Sequence, residues 1–170
     1  MSPGPVPDTT RACVALGSNL DDPRSQVRRA LAELDGLPAT RVVRASSLYL
    51  TAPLGPAGQP DYINAVAVLQ TGLEPEALLD GLQAIEAAHG RRRGADRWGP
   101  RTLDLDILLF GARHLSTPRL QIPHPHLHER AFVLQPLAEV AADLDVPGRG
   151  RAGDLAARCG DRGVQRLADV

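Results

Sequence analysis

A chain of 170 residues, 43% of them hydrophobic, can build one domain around its own core without disulfides or a structural metal. A net charge of −1 excludes the global basic footprint of a duplex nucleic-acid binder, and the absence of lysine excludes a Walker-A P-loop and a protein-kinase site. Cys13 and Cys159 make no metal or redox spacing, and no apolar stretch approaches the ~20 residues of a membrane span, so a cytoplasmic protein with no membrane partner is expected.

Residues 1–10 read as a disordered Pro-rich tail, residues 11–147 as the working domain and residues 148–170 as a Gly/Arg-rich extension. The extension reads as a solvated tail of little order, apart from a short helix near the end. Within the domain, residues 12–16 form an apolar strand ending in the turn cluster Gly17-Ser18-Asn19. Asp22 suits an N-cap and Pro23 the first helical position. Val27, Ala30, Leu31 and Leu34 keep helical spacing, and Gly36 stops the helix. Residues 41–50 read as a second strand. The Pro/Gly loop from Thr51 through Pro53 and Leu54 to Pro60 is long for a plain hairpin, which marks it as a candidate working loop.

The strand over residues 62–71 alternates, with Tyr62, Asn64, Val66 and Val68 on one face and Ile63, Ala65, Ala67 and Leu69 on the other. Glu74-Pro75 opens a second helix whose buried stripe is Leu78, Leu82 and Ile85, and Gly90 ends it. Gln83 and Glu86 share a face near its C-terminus. Residues 91–101 carry five arginines and Trp98, and Gly94, Gly99 and Pro100 keep them from a regular element. A strand then alternates Leu103, Leu105 and Ile107 against Asp104 and Asp106. Residues 118–122 form a short strand, and a Pro/His segment leads to a helix around residues 130–134 that Pro136 closes. The order β-α-β-β-α-β predicts an α+β, ferredoxin-like antiparallel sheet with helices packed on one face.

Two carboxylates two residues apart on a strand point the same way, about 6.5–7 Å apart, and repel unless a cation sits between them. Structural salt bridges from the neighbouring arginines are one source of that charge. Mg²⁺ is the other, since it takes one or two carboxylates together with water and phosphate oxygens. Guanidinium groups grip phosphate oxygens in pairs, so a cationic segment running into a carboxylate pair favours Mg²⁺–nucleotide chemistry. His124, His126 and His128 would share a face if extended and raise zinc, but nothing else in the sequence completes a tetrahedral site.

These segments resemble one family, 6-hydroxymethyl-7,8-dihydropterin pyrophosphokinase. The matching pieces are Gly17-Ser18-Asn19-Leu20, residues 51–55, Pro60-Asp61-Tyr62-Ile63-Asn64, Pro123-His124, and Arg130 with Phe132. The most specific is Arg97-Trp98-Gly99-Pro100-Arg101-Thr102-Leu103-Asp104-Leu105-Asp106. The resemblance implies transfer of pyrophosphate from ATP to the pterin hydroxymethyl group, with release of AMP. It implies that Asp104 and Asp106 hold two Mg²⁺ ions, and that Tyr62 and Phe132 sandwich the pterin. Asn64 would read the ring's polar edge, with Thr51, Pro53 and Leu54 offering backbone groups. Gln83, Glu86, Arg91, Arg93, Arg97, Trp98, Arg101, Arg119, His124 and Arg130 match positions that hold ATP or close over the site. Arg91 and Arg101 fall with the acid pair in the catalytic set, and Trp98 falls beside the pterin. The pattern departs at Ala52, where a proline is common, and at Gln121 and Pro125, where some members carry a hydroxyl and a tyrosine. A monomer acting on small molecules, not nucleic acid, is expected. The rival readings are a single-stranded RNA binder on a ferredoxin-like sheet, and another Mg²⁺-dependent phospho- or nucleotidyltransferase.

Overall fold

The computed structural model describes residues 9–52, 60–90, 102–161 and 163–167. Strand β1 (Thr10–Ser18) leads to helix α1 (Pro23–Asp35), and two strands follow, β2 (Thr40–Ala45) and β3 (Tyr49–Thr51). Next come β4 (Tyr62–Thr71), α2 (Pro75–Ala88) and β5 (Asp104–Phe110). The chain continues through β6 (Leu115–Ser116), β7 (Gln121–Ile122), a 3-10 turn (Leu127–Glu129) and α3 (Ala131–Ala141). It ends in β8 (Asp145–Val146), β9 (Gly150–Arg151), α4 (Ala152–Cys159) and β10 (Val164–Arg166). The main sheet is antiparallel in the order β10-β3-β4-β1-β5, with β2 also on β4. With β2 and β3 taken as one interrupted strand, this is the split-βαβ order of a ferredoxin-like domain.

The expected strand over residues 41–50 is broken because Ser46 substitutes its side chain for the backbone ladder. Its N–H donates to the Val66 carbonyl at 2.9 Å, and its Oγ accepts the Val66 N–H at 2.9 Å. Both faces of the sheet are covered, which corrects the expectation of helices on one face. Val14, Leu16, Ala65, Leu69, Leu105 and Ile107 pack toward Val27, Leu34, Leu78 and Leu82 of α1 and α2. Cys13, Val66, Val68 and Leu108 face the opposite way, against Leu134, Leu137 and Leu155 of α3 and α4. Strands buried on both sides read as near-continuous apolar runs, as β1 and β4 do.

Four local expectations are corrected. α3 runs through Pro136 to Ala141. A proline inside a helix costs roughly 3 kcal/mol, offset here by burial of Val133, Leu134, Leu137 and Val140 on the sheet. Asp22 does not cap α1 with its side chain; it sits at φ 62°, and Gln26 Nε2 braces this entry turn by donating to the Asp21 carbonyl at 2.9 Å. The three alternating histidines are not extended, because a 3-10 turn begins after His126. Finally, the described residues after Gly148, 149–161 and 163–167, are not a solvated tail. Gln135 Nε2 holds the end of α4 through the carbonyls of Ala156 and Gly160, and β10 pairs with β3.

Glu139 of α3 ties these parts together. Its Oε1 accepts from Tyr49 Oη at 2.6 Å, its carboxylate accepts Ser47 N–H at 3.0 and 3.1 Å, and Oε2 accepts from Ser47 Oγ at 3.0 Å. Arg166 Nη2 lies 3.5 Å from Oε2. Burial pushes the Glu139 carboxyl upward, but the bonds from Tyr49 and Ser47, with Arg166, outweigh it, and the net displacement is below the ordinary value near 4.5. Stability from a depressed carboxyl is complete above its unfolded pKa and is lost as pH falls through the folded one. Glu139→Gln is therefore expected to flatten the loss of melting temperature below about pH 4.5 relative to the parent, measured by thermal melts across the acid range.

Candidate active site

The site is read from strand register. Gly17 of β1 pairs with Asn64 on one side and Asp104 on the other, and Ala15 pairs with Val66 and Asp106. Directly opposed residues share a face, so Asn64, Gly17 and Asp104 form one row on the α3 side of the sheet. Two strand spacings put Asn64 and Asp104 about 10 Å apart, with only the small residues Gly17 and Ala15 between their strands. β3 extends the row: Tyr49 pairs with Asn64, and Thr51 pairs with Tyr62. Thr51 Oγ1 hydrogen-bonds Asn64 Oδ1, which leaves the amide nitrogen to face the row.

Asp104 and Asp106 are half-buried at the start of β5. Beneath them the buried Glu86 of α2 accepts the Leu105 N–H through Oε2 at 2.8 Å, fixing the backbone between the two acids. A bulge completes the alignment, since Cys13 pairs with Leu109 and Val14 with Ile107. Leu108 and Leu109 thus both reach the α3 side while the acids keep their row.

The segment after a cis Ile122–Pro123 bond brings His124 against this edge, its N–H donating to the Leu108 carbonyl at 2.9 Å. Burial lowers the His124 pKa, Arg130 and His126 lower it further, and Asp104 raises it, leaving it pushed down to about 4. Its Nδ1 accepts the His126 N–H at 3.1 Å. The ring at neutral pH is therefore the Nε2–H tautomer, a neutral donor. Arg130 precedes α3 and places its guanidinium 5.6 Å from the ring centre of Phe132, which is half-buried at the helix start.

Thr51, Tyr62, Asn64, Asp104 and Asp106 thus share one face, with His124, Arg130 and Phe132 at the β5 and α3 side. Gln83 and Arg119 meet elsewhere, on the outer surface of α2. There Arg119 Nη2 donates to Asp80 Oδ1 at 2.7 Å and Gln83 Oε1 at 3.3 Å, with Glu76 at 3.7 Å. Pro53, Leu54, Arg91, Arg93, Arg97, Trp98 and Arg101 lie outside the described residues, as does the loop that carries the five arginines.

Gly17 is the residue the sequence reading undervalued. It lies inside β1 rather than in a turn, and a Cβ there would stand 2.9 Å from Asn64 Nδ2 and 3.8 Å from the Tyr62 ring. A glycine interrupting an apolar strand run is the available signal, because it marks a close approach. Among the described residues no three His, Cys, Asp or Glu side chains group as a metal cage. An acid pair does suit Mg²⁺, which completes its shell with water and phosphate oxygens.

Residues 13–142 match the family 7,8-dihydro-6-hydroxymethylpterin-pyrophosphokinase. A 2-amino-4-hydroxy-6-hydroxymethyldihydropteridine pyrophosphokinase of Pseudomonas aeruginosa is 55% identical over 157 residues, covering 92% of this chain and 96% of the relative. The protein of the same name from Haemophilus influenzae is 47% identical over 156 residues, covering 92% and 97%. Among solved structures, Plasmodium falciparum HPPK-DHPS with pterin and p-hydroxybenzoate superposes with TM-score 0.74 over 95% of this chain at 13% identity. The chain spans only 47% of that structure's length, and at this identity the likeness concerns the fold. With the family match covering most of the domain and close relatives matched nearly end to end, the chain belongs to the 7,8-dihydro-6-hydroxymethylpterin-pyrophosphokinase family.

Proposed function

We propose that the protein transfers the terminal pyrophosphoryl group of ATP to the hydroxymethyl oxygen of 6-hydroxymethyl-7,8-dihydropterin, in tetrahydrofolate biosynthesis. The observation that carries this reading is the row Asn64–Gly17–Asp104, which sets an amide for a heterocycle edge about 10 Å from a carboxylate pair. The pterin lies between Tyr62 and Phe132, with its polar edge read by Asn64, whose amide Thr51 orients, and by backbone groups of Pro53 and Leu54. The hydroxymethyl oxygen attacks the β-phosphorus, the bond from that phosphorus to the α-phosphate oxygen breaks, AMP leaves and the hydroxyl proton is released. No covalent enzyme intermediate is needed, so alignment and charge neutralisation carry the reaction.

Asp104 and Asp106 would hold two Mg²⁺ ions, which supply charge neutralisation to the triphosphate. Glu86 keeps the acid-bearing backbone in register. His124 offers an uncharged Nε2–H donor and Arg130 a cation beside Phe132; Gln83 with Arg119, away from the row on the outer surface of α2, would serve a more distant part of the nucleotide. Arg91, Arg93, Arg97 and Arg101 are assigned to the phosphates and Trp98 to the pterin. The protein works as a monomer in the cytoplasm on these two small molecules, without nucleic acid. No helix among the described residues is long and apolar enough to cross a membrane. Against the RNA-binding alternative, α3 and α4 pack over the Cys13, Val66, Val68 and Leu108 part of the sheet face that would stack bases.

Tyr62→Ala and Phe132→Ala are each expected to weaken dihydropterin binding by roughly 1–3 kcal/mol, the scale of aromatic stacking on a base. ATP affinity is expected to change far less. Calorimetry with each ligand separately tests this; equal losses for both would return the rings to a role in the fold.

A further inference from the structure

The two rings assigned to the pterin stand on different parts of the molecule, and the gap between them must be held by something. Phe132 rides on α3, whereas Tyr62 and Asn64 ride on β4, flanked at this end by β1 on one side and β3 on the other. Seven residues along α3 from Phe132 lies Glu139, two turns away on the same stripe of the helix. Its carboxylate receives Tyr49 Oη, Ser47 N–H and Ser47 Oγ, all from β3 or the residues leading into it. Tyr49 is the cross-strand partner of Asn64, and Thr51, two residues on, hydrogen-bonds the Asn64 amide. β10 braces the same joint: Val164 pairs with Thr51, Arg166 Nε donates to Ser47 Oγ at 3.1 Å, and Leu167 N–H donates to the Leu48 carbonyl at 2.9 Å.

A carboxylate fixed by donors from one short strand, with an arginine behind it, holds that strand at a set distance from its own helix. We infer that Glu139, with Tyr49 and the C-terminal strand β10, is a positioning device that sets the spacing between Phe132 and the Tyr62–Asn64 row and thereby tunes pterin recognition. This rests on reading that gap as the pterin site. Glu139 itself is a positioning residue and not a ligand, since its carboxylate is taken up by Tyr49, Ser47 and Arg166. The C-terminal strand thus belongs to the specificity apparatus.

Steady-state kinetics of Tyr49→Phe, Glu139→Gln and Arg166→Ala test the inference, with KM measured separately for dihydropterin and for Mg²⁺–ATP. Tyr49→Phe keeps the buried ring and removes only the hydroxyl, so it decides the matter even if Glu139→Gln does not fold. Losing a hydrogen bond to a charged acceptor at this joint is expected to raise the pterin KM by about tenfold, with the ATP KM within about twofold of the parent. Arg166, more exposed, is expected to give a smaller rise in the same direction. A lower melting temperature with both KM values unchanged, or an equal rise in both, would make the joint merely structural and overturn the inference. A parent protein that binds pterin and turns over while the variants match it defeats only the inference; a parent with no pterin-dependent turnover defeats the underlying reading as well.

Discussion

Asp104→Ala and Asp106→Ala are each expected to lower turnover on the order of 10³-fold, the scale of removing one preorganised group that stabilises developing charge. The two acids stand on one strand face, two residues apart, over a backbone that Glu86 fixes through Leu105. Neither contributes to the two apolar cores, so the variants should keep their fold and their far-ultraviolet circular dichroism. The loss should appear in kcat more than in pterin affinity, because the side chains proposed to hold the pterin lie at the other end of the row. A variant retaining near-parental turnover would return its residue to the salt-bridge reading. Paired loss in both, with pterin binding intact, is the pattern expected of carboxylates that act together on the triphosphate.

Gly17→Ala is expected to raise the pterin KM by roughly 10- to 100-fold, since a misplacement of about 1 Å at a reacting centre can cost 10²-fold. The added methyl would lie 2.9 Å from Asn64 Nδ2, closer than such atoms approach. Asn64 has little freedom to yield, because Thr51 holds the other end of its amide and the residue is buried. The backbone at Gly17 is ordinary strand, so alanine introduces no conformational strain and the damage stays local. Separate KM determinations for the two substrates check this. A parental pterin KM would mean that Asn64 does not read the ring. Equal losses for ATP would place the effect in the sheet rather than in the row.

Much of the architecture was legible because it is periodic. The alternation in β4 and β5, the stripe Leu78, Leu82 and Ile85, and the stop at Gly36 all lie where the sequence places them. The placement of the two acids was equally legible, since both lie on one face of a single strand. What escaped was set by distant contacts. β10 is three residues long, Val164–Arg166, and is a strand only because β3 offers it an edge. The second helical layer was hidden because Pro136 reads as a helix end, yet burial of its neighbours carries α3 past it. Gly17 looked like punctuation before Ser18 and Asn19; its importance depends on Asn64, which β4 brings across from far along the chain. Glu139 carries no local signal at all, as one acid in an apolar helix acquires its meaning from Ser47, Tyr49 and Arg166.

The decisive measurement follows the phosphates. The full-length protein is incubated with Mg²⁺, 6-hydroxymethyl-7,8-dihydropterin and ATP labelled at the α-phosphate in one reaction and at the γ-phosphate in another. The α label is expected to appear in AMP and the γ label in the pterin product, each only when the pterin is present. Labelled ADP in the first reaction would instead mean attack at the γ-phosphorus, and folded protein giving no pterin-dependent nucleotide would mean that the row Asn64–Gly17–Asp104 does not serve this reaction.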